Sequence, residues 1–156
     1  MKGNAKVIEA LNDVLAAELT AINQYFVHAK MCDNWGYGRL HEHTRKEAID
    51  EMKHADEAIE RILFLEGIPN MQRLLKIKVG ETVPEQFKVD HALEIDAVTR
   101  LNKAIELAVE VHDNGTRELL EDILTSEEEH VNWLEAQLEL IKQVGDQNYL
   151  SEQIHK

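Results

Sequence analysis

Two Glu-x-x-His sequences, Glu51/His54 and Glu127/His130, have the residue types and the spacing that metal chemistry needs. On a helix, side chains three positions apart project from one face, so a carboxylate and an imidazole with this spacing can bind one metal ion together. A third match lies near the end of the chain, at positions 152 and 155. Because about one such match is expected by chance in a chain of this length and composition, a single pair has little value.

A further glutamate, 33 positions upstream, distinguishes the first two pairs from the third. Glu18 lies 33 positions before Glu51, and Glu94 lies 33 positions before Glu127, whereas Leu119 occupies that position for the third pair. Corresponding residues of the first two sets are all 76 positions apart. The six residues therefore form an internal repeat, and the third pair is interpreted as chance.

The charges of this repeat predict what it binds. Each of its glutamates falls on the apolar stripe of a helical segment, and an unpaired carboxylate in a dry interior costs several kcal/mol. Two divalent cations would neutralise four such carboxylates. Oxygen-rich ligands with one imidazole for each ion favour iron or manganese over a structural zinc site.

Four long helices must position these residues. Turn residues at 34–36, 67–70, 82–84 and 114–115 separate four periodic segments, about 4–33, 38–66, 83–113 and 116–144, and a short fifth helix is predicted at about 146–154. The connection 67–82 is long enough to run along the whole bundle, which predicts an all-α four-helix bundle with one long crossover. The predicted inner face of the third helix is Phe87, His91, Glu94, Val98, Leu101, Ile105 and Ala108.

Composition narrows the class of protein. The chain of 156 residues is predicted to be a single domain, 1–156. A net charge of −13 argues against nucleic acid and favours cations. Cys32 is the single cysteine, so an internal disulfide and a four-thiolate metal site are excluded. No apolar run suits a signal peptide or a membrane span, so a cytoplasmic protein with no membrane partner is expected.

Several stretches resemble bacterioferritin, and the resemblance covers essentially the whole chain: VIEALNDVLAAEL, INQYF, DEMKHAD, RILFLEG, TRELLEDIL and SEEEHVNWLE. It implies a ferritin-like fold and a hollow shell of twenty-four subunits built as twelve dimers, alone or mixed with a second ferritin subunit. It also implies iron storage and detoxification, in which a ferroxidase oxidises Fe(II) to Fe(III) with O₂ or peroxide and deposits ferric mineral inside the shell. A [2Fe-2S] bacterioferritin-associated ferredoxin is the implied electron donor for iron release.

The resemblance also assigns roles to single residues of the di-iron centre. Glu18 and Glu94 would be terminal carboxylate ligands. Glu51 and Glu127 would bridge the two irons. His54 and His130 would be terminal imidazole ligands. Tyr25 lies on the same inner face as Glu18, where its hydroxyl needs a partner, and a ligand carboxylate is expected; the resemblance adds a redox role. Asp50 would bind iron on the cavity wall, although Lys46 stands where many relatives have histidine.

Met52 points away from the predicted ligands, toward the outside of the second helix among Ile49, Ala55 and Ile59. Without the resemblance, this position of Met52 fits packing in a subunit interface. The resemblance implies instead that it is an axial ligand of haem b shared between two subunits. Two alternatives to the storage protein stay open: a di-iron or manganese peroxidase of the rubrerythrin type, and a haem-binding or structural bundle without further metal.

Overall fold

The architecture is a bundle of four long helices with a short fifth helix, as predicted. A computed structural model describes residues 1–154, and within them no strand occurs. The helices are α1 (Ala5–Asn34), α2 (Gly38–Phe64), α3 (Val83–Glu110), α4 (Asn114–Val144) and α5 (Asp146–Ser151). α1 packs mainly against α2 and α3 against α4, and contacts between α1 and α3 join the two hairpins. Residue 155, part of the discarded third match, lies outside the described residues.

Three helices end earlier than predicted. α2 stops at Phe64, two residues short, and α3 at Glu110, three residues short. Just beyond them, Glu66 and His112 adopt left-handed backbone, with φ of 65° and 60°. The next amide in each case bonds back to the last helical turn, which is a standard way to close a helix. Glycine usually occupies this position, so Glu66 and His112 did not indicate the ends of α2 and α3 in the sequence. α5 also ends at 151 rather than 154.

Helix starts follow ordinary capping chemistry. The side chain of Asn4 accepts hydrogen bonds from the amides of Lys6 and Val7 at the start of α1. Thr82 caps α3 by accepting from the amide of Glu85, and Pro84 stands in the first turn where its missing N–H costs nothing. These caps help to define where α1 and α3 begin.

Apolar layers close both ends of the bundle. One layer is built around Leu11, Leu15, Ile62, Leu101 and Ile123, and the other around Leu40, Phe87, Leu134 and Tyr149. The predicted inner face of α3 is shifted: His91 is partly exposed and contacts Glu135, whereas Asp90 is buried. Ala55 is also buried, so it belongs to the core and not to the outer face of α2 on which it was placed. The polar site lies between the two layers.

The crossover lies along α1. Side chains of α1 accept hydrogen bonds from its backbone: Asn12 from Asn70, Thr20 from Leu75, Gln24 from Lys78 and His28 from Gly80, at 2.8 to 3.0 Å. This segment has no regular secondary structure of its own. Four of its amides are satisfied by side chains of α1, which helps an irregular connection to pack against the bundle.

No helix in the described part of the chain has both the length and the apolar character needed to span a membrane.

Candidate metal centre

The six residues of the internal repeat converge in the middle of the bundle. All six are buried, and at most 8% of the surface of any of these residues is exposed. One ligand atom from each of four residues comes within 4.8 Å of the others in two groups: Glu18, Glu51, His54 and Glu127 form one, and Glu51, Glu94, Glu127 and His130 form the other. Glu51 and Glu127 belong to both groups. Two metal positions that share two carboxylates are therefore geometrically available.

Each imidazole turns its Nδ1 atom toward the carboxylates. His54 Nδ1 lies 3.3 Å from Glu127 Oε1 and 3.5 Å from Glu18 Oε2. His130 Nδ1 lies 3.1 Å from Glu51 Oε1 and 3.7 Å from Glu94 Oε1. The Nδ1 atoms are therefore the ones placed to bind a cation.

Seven buried atoms of the centre have no hydrogen-bond partner among the described residues. They are Glu18 Oε2, both carboxylate oxygens of Glu51, His54 Nδ1, Glu94 Oε2, Glu127 Oε1 and His130 Nδ1. Leaving even one buried polar atom unpaired costs about 1–3 kcal/mol. Their concentration at one point, with oxygen and imidazole donors, fits a pair of cations of the iron or manganese type.

Burial and mutual charge set the protonation of the metal-free centre. Burial opposes the charged form of His54 and His130, but the carboxylates around them outweigh it and raise the pKa of each imidazole to about 10. Burial, together with the charge of Glu127, raises the pKa of Glu94 to about 8. Burial and the charge of Glu18 hold the pKa of Glu51 well above its usual range. Without metal, protons neutralise the cluster, so a metal ion must displace them.

Tyr25 and Asp50 lie at the edge of the centre. The Tyr25 hydroxyl is fully buried and donates a hydrogen bond to Glu94, as expected from the sequence. Burial and the charge of Glu94 keep the pKa of this phenol well above its ordinary value. Asp50 is 30% exposed, and its Oδ2 lies 3.4 Å from His130 Nε2, the ring nitrogen that faces away from the carboxylates. Asp50 belongs to neither of the two ligand groups, and Lys46 is exposed.

Met52 lies on the outer face of α2, away from the centre. Its side chain is 54% exposed, and Phe26 on α1 is 61% exposed. Leu19, Ile22 and Ile59 are partly buried on the same pair of helices. A thioether therefore stands on an apolar surface that one chain alone does not cover.

Sequence reasoning missed two buried acids near the centre. Glu47 bonds to His43, whose ring stacks on Trp133 at 3.6 Å between centroids. Asp90 bonds to both Gln24 and His28. Burial raises the pKa of both acids. Each lies four positions before a glutamate of the centre on the same helix, so helical spacing alone would have placed both on the inner face.

Comparisons with known proteins identify the family of this chain. The family model described as Ferritin-like domain matches residues 8–144, so fold and site define a ferritin-like protein. The chain is 49% identical over 149 residues to a bacterioferritin of Mycolicibacterium paratuberculosis and 48% identical over 149 residues to bacterioferritin BfrA of Mycobacterium tuberculosis; each match covers 96% of this chain and 94% of the relative. A bacterioferritin of Streptomyces coelicolor is 48% identical over 151 residues, or 97% of this chain and 90% of the relative. The chain belongs to the bacterioferritin family of ferritin-like proteins.

Proposed function

We propose that this protein stores and detoxifies iron. It acts as a ferroxidase that oxidises Fe(II) to Fe(III) with O₂ or peroxide at an intrasubunit di-iron centre, and ferric mineral is deposited inside a multi-subunit shell. The observation that carries the proposal is the pair of buried four-residue ligand groups that share Glu51 and Glu127. The unpaired polar atoms at the same point support the proposal, because no described residue provides a hydrogen-bond partner for them.

The arrangement of charges suits two Fe(II) ions as substrate. Four carboxylates balance two divalent cations, and shared carboxylates keep the ions close together. Two Fe(II) ions give up one electron each; with two protons, this pair reduces O₂ to hydrogen peroxide, or hydrogen peroxide to two water molecules, and leaves two Fe(III) ions. Glu18 and Glu94 are the terminal carboxylates, Glu51 and Glu127 bridge, and His54 and His130 complete the two sites.

Two neighbouring side chains would orient these ligands. The hydrogen bond from Tyr25 fixes one oxygen of Glu94 and leaves the other free for a metal ion. Asp50 contacts the far nitrogen of His130, and such contacts fix ring orientation and raise ligand basicity. We propose for Tyr25 an additional redox role and for Asp50 a part in passing iron toward the cavity wall.

The outer face of α2 fits haem b shared between two subunits. Methionine sulfur is an axial ligand of haem iron, and Met52 presents its thioether on an exposed apolar face beside α1. When bound there, haem would supply a path for electrons that reduce the mineral and release iron. A [2Fe-2S] bacterioferritin-associated ferredoxin is the proposed electron donor.

The assembly proposed is a cytoplasmic shell of twenty-four subunits, built as twelve dimers of this chain alone or with a second ferritin subunit. The net charge of −13 supports a surface that attracts Fe(II) and repels nucleic acid. A membrane partner is not proposed.

Anaerobic Fe(II) titration followed by stopped-flow oxidation tests the ferroxidase assignment. Replacing Glu127 by Gln keeps the side-chain shape and removes one bridging charge; Glu127→Ala with His130→Ala removes two ligands. Because losing a mere hydrogen-bond partner of a metal ligand costs about 10- to 100-fold, we expect at least about a tenfold loss of the fast oxidation phase. Glu128→Gln is the matched control, because this glutamate is the exposed neighbour on α4.

Unchanged oxidation kinetics in Glu127→Gln and in the double variant would overturn the catalytic assignment. Particle size gives a separate test of the shell. A dimer-sized particle in size-exclusion chromatography would contradict storage and would favour the rubrerythrin-type peroxidase. Metal analysis that finds only haem iron would favour the haem-binding bundle.

A further inference from the structure

The end of the crossover is held by a buried group of three polar side chains, Gln24, His28 and Asp90. Asp90 Oδ1 accepts a hydrogen bond from Gln24 Nε2 at 2.8 Å and lies 2.9 Å from His28 Nδ1. Gln24 Oε1 then accepts from the amide of Lys78 at 3.0 Å, and His28 Nε2 accepts from the amide of Gly80 at 3.0 Å. The three side chains are at most 3% exposed. Asp90 on α3 thus orients two side chains of α1 toward the crossover.

These contacts define the protonation of the His28 ring. The backbone N–H of Gly80 can only donate, so His28 Nε2 must offer its lone pair. The ring proton therefore sits on Nδ1, where it is donated to the Asp90 carboxylate. A second proton on the ring would have to be placed on Nε2, and it would face another donor.

We propose that His28 is a proton-sensitive latch: when its Nε2 takes up a proton, the hydrogen bond from Gly80 is lost and the end of the crossover is released from α1. Asp90 accepts the Nδ1 proton in the closed state. The latch is closed when the His28 ring carries one proton and open when it carries two.

Among the other ionisable groups around this latch, Asp90 is the one that bonds to the His28 ring. Tyr25 and Cys32 lie near it on α1, and burial raises the pKa of both, that of Cys32 to about 12, so they stay neutral. Glu94 follows Asp90 on α3 and is bonded to Tyr25. From the crossover, Lys78 contributes its amide, and its side chain is exposed. Asp90 is therefore the acid that faces the ring directly.

Gly80 connects the latch to the beginning of α3. A Cβ atom at this position would lie 2.4 Å from the Gln86 backbone nitrogen, so only glycine fits without moving the backbone. Its carbonyl accepts a hydrogen bond from Gln86 Nε2 at 3.3 Å. Releasing the Gly80 amide therefore loosens the segment that leads into the Thr82 cap.

Hydrogen–deuterium exchange of the intact assembly, with fragmentation that resolves single amides, tests the latch. Protection factors, corrected for the intrinsic effect of pH, are measured from about pH 8 to about pH 5, the range in which histidine charge normally changes. We expect protection of the Gly80 amide to fall about threefold to tenfold, the effect of losing one hydrogen bond. The Leu75 amide is an internal control, because its acceptor Thr20 Oγ1 does not titrate.

Two variants separate the latch from general loosening. His28→Gln keeps an acceptor for Gly80 and has no proton to gain, so its Gly80 protection should be flat with pH. Thr20→Val should lower Leu75 protection equally at every pH. The proposal is overturned if wild-type Gly80 protection is flat, if it falls only in parallel with Leu75, or if the fall persists in His28→Gln. Should His28→Gln fail to assemble, the wild-type comparison of Gly80 with Leu75 decides alone.

Discussion

At the scale of single residues, the centre shows how a protein tolerates four carboxylates away from water. The metal-free cluster holds protons on His54 and His130, whose pKa values are raised to about 10 by the surrounding acids. A cation bound there would replace those protons and also satisfy the unpaired oxygens. Burial therefore favours added positive charge at the site, because such charge offsets the cost of desolvating the carboxylates.

Tyr25→Phe should destabilise the metal-free protein. Removing the hydroxyl leaves the buried oxygen of Glu94 without its donor, and a buried unsatisfied acceptor costs about 1–3 kcal/mol. Thermal unfolding of the metal-free assembly should show a lower midpoint, partly restored by a redox-inert divalent ion. Tyr37→Phe is the control, since that tyrosine is partly exposed. Equal midpoints for Tyr25→Phe and wild type would show that the hydrogen bond contributes nothing.

The six proposed ligands could be found in the sequence because they repeat with one spacing and interrupt apolar stripes. The structure brings them together as that spacing predicted. The latch could not be found in this way, because Asp90 meets His28 across 62 positions and Gly80 meets it across 52. Nothing in the spacing of one histidine, one aspartate and one glycine indicates that a crossover brings them into contact.

At the scale of elements, the turn between α3 and α4 is fixed by one acid. Asp113 caps α4 by accepting from the Thr116 amide at 3.1 Å and from its hydroxyl at 2.7 Å, and it accepts from Arg61 of α2 at 2.9 Å. A Cβ at Gly115 would lie 2.6 Å from Arg61 Nη2, so a larger residue there would displace the end of that guanidinium. This network joins the two hairpins at one end of the bundle. The sequence indicated the turn, but Arg61 as its partner depends on packing.

Asp113→Ala should lower the free energy of unfolding by about 1–2 kcal/mol, the usual value of an N-cap residue. Burial opposes ionisation of Asp113, but hydrogen bonds from Thr116 and Arg61 outweigh it and lower its pKa. The contribution is therefore complete above the ordinary aspartate pKa of about 3.9 and disappears as the pH falls through the lower folded value. Denaturant unfolding at neutral pH and at acid pH checks this.

Asp122→Ala provides the control for that measurement, because Asp122 is exposed on the same helix and its removal changes the net charge equally. A difference between wild type and Asp113→Ala that persists unchanged well below the ordinary aspartate pKa would contradict the role of the ionised cap.

At the scale of the whole molecule, α1 and α2 carry an apolar face that a single chain leaves in water. Phe26, Met52 and Leu63 are each more than half exposed. Contiguous exposed apolar surface usually marks an interaction site. A second copy on this face would cover these side chains, and the proposed shared haem needs the two Met52 thioethers to meet there.

Met52→Leu separates haem binding from assembly. Leucine conserves the volume of methionine, so packing changes little, but it lacks the sulfur that binds iron. We expect a particle of wild-type size in size-exclusion chromatography, loss of the haem Soret absorbance relative to protein, unchanged Fe(II) oxidation and slower reductive iron release. Met71→Leu is the matched control, because Met71 is an equally exposed methionine of the crossover, at 53%. Haem retained in Met52→Leu, or lost equally in Met71→Leu, would exclude Met52 as the ligand.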